Sequence, residues 1–153
     1  MFPFPLPIEK DFLMLATFNR LLDCPDFGKF VLRVSFAAMM LMHGWHKVTD
    51  GIDGIFGLLA SQGYPTWIGY GVYIGEVIAP ILLIVGVLTR LSALTMLGTM
   101  IFAWLLTGIP KTFTLTAVGA WGIEHMMVYF FAALAIMFLG AGRYSIVSNP
   151  AWR

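Results

Sequence analysis

Residues 67–107 read WIGYGVYIGEVIAPILLIVGVLTRLSALTMLGTMIFAWLLT, and in this stretch only Glu76 and Arg90 carry charge. A bilayer core needs about 20 consecutive apolar residues per helix. Two such spans fit here, 67–88 and 91–107, with almost no loop at Leu88-Thr89-Arg90-Leu91, so they are antiparallel neighbours. Gly108-Ile109-Pro110 stops the second, because proline cannot extend a helix.

Working outward, 27–48 and 118–141 are apolar over comparable lengths, which makes four spans. Composition agrees. The chain has 153 residues, 59% hydrophobic and 11% charged, with mean hydropathy +0.86. Soluble domains run near 45–50% apolar and about 25% charged, and a core this small cannot hide the excess. The expected fold is all-α: an integral membrane four-helix bundle preceded by an interfacial amphipathic helix. That helix is read from Glu9 to Leu22, where Phe12, Leu13, Leu15, Phe18, Leu21 and Leu22 mix with Lys10, Asp11, Asn19 and Arg20. Asp23-Cys24-Pro25 ends it, so residues 1–26 form a cytoplasmic or interfacial segment, 27–147 the bundle and 148–153 a cytoplasmic tail. The loop before the second span carries Ile55, Phe56, Leu58 and Leu59, enough for a short interfacial helix.

A net charge of +1 offers nothing to nucleic acid. Cys24 is the one cysteine, so no internal disulfide or dithiol chemistry is possible. Residues 1–7 are proline-rich and lack a basic n-region, so no cleavable signal peptide is expected. With four spans, Lys10, Arg20, Lys29, Arg33, Arg90, Arg143 and Arg153 fall on one side, and Lys47 and Lys111 on the other. The positive-inside rule then puts both termini in the cytoplasm of a cell with this protein in its inner membrane.

Ionisable groups inside spans cost about 2.5–3.5 kcal/mol each on insertion scales and so mark candidate sites. Here they are Arg33, His43, His46 and Lys47 in the first span, Glu76 in the second, and Glu124 and His125 in the fourth. At a rise of about 1.5 Å per residue, Glu76 lies ~13 Å below the outer end and Glu124 and His43 ~8 Å, with Lys47 at the rim. His43 and Lys47 share a face at i,i+4. Arg33, His43, Lys47, Glu76, Glu124 and His125 therefore define a candidate pocket. Arg33, some 8–9 Å below Glu76 by the same count, could snorkel to the cytoplasmic surface or reach up to Glu76, and the pair with Glu76 is the favoured expectation. Pro80 lacks the N–H that would bond the Glu76 carbonyl, and Gly71, Gly75 and Ala79 make a small-residue stripe for close helix approach. Three chemistries suit the set: a metal site on His43, His46, Glu76, Glu124 and His125, disfavoured because His43 and His46 point about 60° apart; a quinone held by histidine and carboxylate near Trp45, Tyr73 and Trp121; and a proton relay through His43, Glu76 and Glu124. The many methionines read as packing residues.

Leu32-Arg33 followed by His43-Gly44-Trp45-His46-Lys47-Val48 resembles the first-helix signature of the DoxX family. Glu76 with Gly86-Val87-Leu88-Thr89-Arg90-Leu91 is similar to its second-helix glutamate and G-aliphatic-aliphatic-T-R turn. Gly63-Tyr64-Pro65 fits the turn before that helix, and Glu124 with Gly140-Ala141-Gly142-Arg143-Tyr144-Ser145 resembles its fourth-helix glutamate and GxGRYS ending. The chain departs at Ser35-Phe36-Ala37, where the family has an early glycine, and at Val147, where it has an aspartate. The resemblance implies a four-helix inner-membrane protein linked to redox chemistry. Relatives include a thiosulfate:quinone oxidoreductase subunit and proteins tied to quinone resistance and oxidative-stress complexes. The expected function is that of a quinone-interacting or redox-associated subunit. No covalent cofactor is expected, and electrons would come from a partner protein. The alternative is a non-enzymatic scaffold or assembly subunit, which could homo-oligomerise. A transporter ranks below both, since four helices without an inverted repeat are few for alternating access.

Overall fold

The computed structural model describes residues 8–153, with side chains from residue 12 onward. The signal-peptide reading of residues 1–7 and the side chains of Lys10 and Asp11 lie outside that range. Among the described residues the fold is helical, with one isolated bridge between Leu115 and Trp121. The helices are α1 (Ile8–Leu22), α2 (Pro25–Asp50), α3 (Asp53–Ser61), α4 (Thr66–Val85), α5 (Thr89–Lys111) and α6 (Glu124–Leu139).

α2, α4, α5 and α6 pack as a closed ring: α2 on α4 and α6, and α5 on α4 and α6. Ala37, Met40, Leu83, Ala93, Met96, Met100, Ala133 and Ile136 form its core. Three methionines there are packing residues, whose unbranched chains fill an irregular interior. α1 presents Phe12, Leu13, Phe18, Leu21 and Leu22 on its exposed surface, and Arg20 lies in its last turn.

α4 and α5 are each long and apolar enough to cross a membrane, at 20 residues with mean hydropathy 2.0 and 23 residues with 1.7. Only 33% and 28% of those windows are buried within the molecule, so most of this apolar surface faces outward. A soluble protein's core helix would be covered instead. On α4 the outward residues are Trp67, Tyr70, Ile74, Ile78 and Ile81, a stripe at helical spacing.

Both long helices contain one widened turn in which the amide bonds five residues back, at Ile74–Ile78 in α4 and Trp104–Gly108 in α5. Each precedes a proline, Pro80 or Pro110, whose missing N–H frees the carbonyl four residues earlier. The Leu106 carbonyl is taken by Gln62 Nε2 at 2.8 Å. The Glu76 carbonyl lies against the backbone of α2 at Gly44, where an added Cβ would stand 2.1 Å from it. One residue earlier, a Cβ at Gly75 would stand 1.8 Å from Thr99 Oγ1 of α5. α4 is thus held close on both sides at the level of Glu76.

The expected fourth span, 118–141, needs correcting. Helix α6 starts only at Glu124. Residues before it turn back on themselves, with Thr116 N bonding Ala120 O at 2.8 Å and Gly122 N bonding Thr114 O at 2.9 Å. Gly119 sits at φ +80°, a left-handed conformation that a helix cannot contain. At 16 residues α6 is about 24 Å long, short of the roughly 30 Å hydrocarbon core.

Gly44→Ala is expected to force α2 from α4 and cost at least roughly 1–3 kcal/mol, as overpacking does. Gly28→Ala, in the same helix but with nothing within 4 Å of its added Cβ, should be neutral or slightly stabilising. Thermal melting of the two variants in detergent checks the contrast; equal losses would remove the close-approach account.

Candidate functional site

The expected Arg33–Glu76 pair does not form. Arg33 has no solvent exposure. Its Nη1 donates to the carbonyls of Leu83 and of Ile84 (3.1 Å), and its Nη2 donates to the carbonyl of Tyr144. Residue counting offered Arg33 a carboxylate as partner and overlooked backbone acceptors. The last carbonyls of a helix have no intrahelical partner, and the C-terminal end of a helix carries partial negative charge that favours a cation. Gly86, at φ +81°, ends α4 in the left-handed conformation. A Cβ there would come 2.6 Å from Arg33 Nη1, so the glycine also makes room for the guanidinium.

Glu76 pairs with Lys47 instead. Lys47 Nζ donates to Glu76 Oε2 across the α2–α4 interface, with 26% and 9% of the two side chains exposed. Tyr73 Oη donates to the Lys47 carbonyl at 3.2 Å, tying the same two helices one turn outward. The pair stands at the wall of a cavity of about 440 Å³ between α3, α4 and α5. Val72, Phe102, Ala103 and Leu106 give it apolar walls, and α3 covers it with Ile55 and Leu58. Thr95, Thr99 and Thr107 add hydroxyls, each donating to the carbonyl four residues back in α5. Their oxygen lone pairs remain as acceptors for a ligand.

His43, Glu124 and His125 line a second cleft, of about 540 Å³, between α2, α6 and the turn at 116–122. His43 lies edge-on to Tyr129, with ring centroids 5.8 Å apart. Glu124 is not a buried group within a span: it is exposed, in the first turn of α6, and its Oε2 accepts the Trp121 amide N–H at 3.2 Å. The contact ties the helix start to the turn that precedes it. His46 turns outward to Asp50, with Nδ1 3.2 Å from Oδ2 and both side chains exposed. The five residues weighed as metal ligands are therefore not gathered at one point: three share this cleft, but among the described residues no three His, Cys, Asp or Glu come close enough to hold a metal ion. No direct hydrogen bond links His43, Glu76 and Glu124, the residues weighed for a proton relay, among those residues.

The six candidate residues thus divide into three places. Lys47 and Glu76 meet at one cavity, His43, Glu124 and His125 at another cleft, and Arg33 sits among carbonyls at the far end of α4. Sequence reasoning missed the threonines and the covering role of α3. The signal was present: Thr95, Thr99, Phe102 and Leu106 recur at three and four residues, one face of a helix.

Among the described residues the chain is helical, with two helices long and apolar enough to cross a membrane and apolar stripes turned outward, which is the make-up of a membrane protein. The DoxX family model matches residues 28–109, and the chain belongs to the DoxX family. The match takes in Arg33, His43, Lys47, Glu76 and Arg90, and ends before Glu124 and His125. No curated protein and no solved structure matches the chain.

Lys47→Met is expected to strand the Glu76 carboxyl and cost about 3–5 kcal/mol, while Lys47→Met with Glu76→Leu recovers most of that loss. A double-mutant cycle on melting measures the coupling. Additive losses would mean that the pair does not act as a unit.

Proposed function

We propose that the chain is a four-span protein of the bacterial inner membrane that binds a quinone in the cavity beside Lys47 and Glu76, as a subunit of a quinone-linked redox complex. The carrying observation is the cavity itself: apolar walls beside one ion pair, inside a volume typical of small-molecule sites. A quinone ring packs on apolar walls, its carbonyls need a donor, and Lys47 is a donor held in place by Glu76. Reduction of a quinone takes two electrons and two protons: a redox partner protein supplies the electrons and water at the membrane surface the protons. The chain's own part is to bind and orient the ring.

Outward apolar residues on all four ring helices support four crossings, including Val31 and Met42 on α2 and Phe131 and Phe138 on α6. α2, with 26 residues, spans about 39 Å and has length to spare. α6 is short, and flanking residues or local thinning of the bilayer accommodate it. Lys29, Arg90, Arg143 and Arg153 lie round one depression, which gathers the basic residues at one end of the ring and favours both termini in the cytoplasm.

A scaffold or assembly subunit is the second reading, favoured by the exposed apolar residues of α1. Either a redox partner or a second copy of the chain would cover them, and Lys47–Glu76 would then only fix helix register. A short-chain quinone added to the purified full-length protein separates the readings. Quinone binding should raise the melting temperature, since a ligand at 100 times its Kd adds about 2.7 kcal/mol. Phe102→Ala should abolish that shift. If the protein carries no quinone from the membrane and added quinone leaves its melting unchanged, the scaffold reading stands.

A further inference from the structure

Five charged side chains converge on one depression of about 250 Å³, away from both clefts described above: Lys29 and Asp26 from the start of α2, Arg90 from the start of α5, and Arg143 and Arg153 from the segment after α6. Four cations against one carboxylate leave a side-chain balance of +3 (4 − 1). Asp26 is 3.5 Å from Lys29 and neutralises at most that one. Two of the arginines are anchored by single atoms or groups. Arg90 Nη1 donates to the carbonyls of Met137 (2.9 Å) and Phe138 (3.3 Å) at the end of α6. Arg153 Nε donates to the Val147 carbonyl at 2.9 Å. Each keeps further N–H groups free of these bonds, already positioned by the backbone. Arg143 is exposed and makes no ion pair among the described residues.

The rim is apolar. Leu139 lines the depression, and its chain neighbour Phe138 and the Arg90 neighbour Leu91 are exposed on the outer surface. A site that joins guanidinium donors to an outward apolar helix surface suits a molecule with a phosphate and acyl chains. Arginine forks match phosphate oxygens in pairs, and basic pockets between helices at the cytoplasmic side take anionic headgroups. We infer that this depression binds the phosphate of an anionic phospholipid, whose chains run along α5 and α6. The inference does not depend on the quinone reading, because the two sites share no residue, but it rests on the proposed four-span topology that puts this end of the ring at the membrane surface.

The test is lipid retention by the full chain in detergent containing equal amounts of phosphatidylglycerol and phosphatidylcholine, read by native mass spectrometry. The parent protein retains phosphatidylglycerol preferentially. Arg143→Gln and Arg153→Gln each reduce that preference about fivefold, the ratio that corresponds to about 1 kcal/mol per basic residue near an anionic surface. Asp26→Asn raises it. Melting curves establish that each variant is folded; should Arg153→Gln fail to fold for want of its Val147 contact, Arg143→Gln and Asp26→Asn carry the test. Equal retention of the two lipids by the parent overturns the inference, as does an unchanged preference in the folded variants. Inorganic phosphate at tens of millimolar is the remaining arm: if it strips the bound phosphatidylglycerol, the depression is a free-anion site and the lipid assignment fails.

Discussion

A buried guanidinium surrounded by backbone carbonyls holds one end of the helix ring together. Helix ends leave carbonyls unpaired, and no water is at hand to satisfy them where the surroundings are apolar. Arg33 of α2 meets this need at the end of α4 and takes the Tyr144 carbonyl as well, so three separate parts of the chain share one cation. Arg90 of α5 does the same at the end of α6 through the carbonyls of Met137 and Phe138. Each arginine binds the end of a helix that neighbours its own in the ring. The segment after α6 completes the joint: Ile146 N bonds Val85 O at 3.2 Å, Ser145 Oγ donates to Gly86 O at 2.8 Å, and Leu88 N bonds Trp152 O at 2.7 Å. The α4–α5 turn is therefore fastened by residues more than fifty positions away.

The other end of the ring is organised differently, by close approach rather than by cations on carbonyls. Gly44 lets α2 touch the Glu76 backbone, and Gly75 lets α5 touch α4 through Thr99. The widened turn at Ile74–Ile78 shifts the Glu76 carbonyl out of the ordinary ladder at the level where both contacts occur. Such turns are frequent at functional sites because they re-aim side chains without breaking the helix. Here the result is a glutamate pinned between two neighbours, with its carboxylate delivered to Lys47.

Much of this was legible from residues 27–107. Long apolar runs read as helices, and the expected spans 27–48, 67–88 and 91–107 fall almost wholly within α2, α4 and α5. Hydropathy misled at 118–123, because it reports apolarity and not helicity. Val118, Ala120, Trp121 and Ile123 are apolar in a turn, and Gly119 and Gly122 were the warning. The ion pairs were harder. Counting residues from helix ends treats the helices as upright rods with side chains as points. By that count Lys47 sat at the rim, beyond the depth of Glu76, yet a four-carbon stem lets an ammonium descend. The i,i+4 relation of His43 and Lys47 also overstated their shared environment. One helix neighbours both α4 and α6, and a rotation of about 40° between those positions suffices to send Lys47 to the first and His43 to the second.

The separation of the ionisable residues bears on what each can do. Arg33 is held by peptide carbonyls, and a ligand could displace it only by exposing helix ends that have no other partner. Lys47 and Glu76 hold each other through side chains alone. Either can turn to a new partner while the helices stay where Gly44 and Gly75 fix them. Breaking a buried pair is costly when one charge is left alone, and much less so when a polar ligand replaces the missing contact. The rigid surroundings therefore make Lys47–Glu76 the element able to answer a ligand, and make Arg33 the reason the surroundings are rigid. A shared class of buried charges thus divides by the nature of the partner: backbone for architecture, side chain for response.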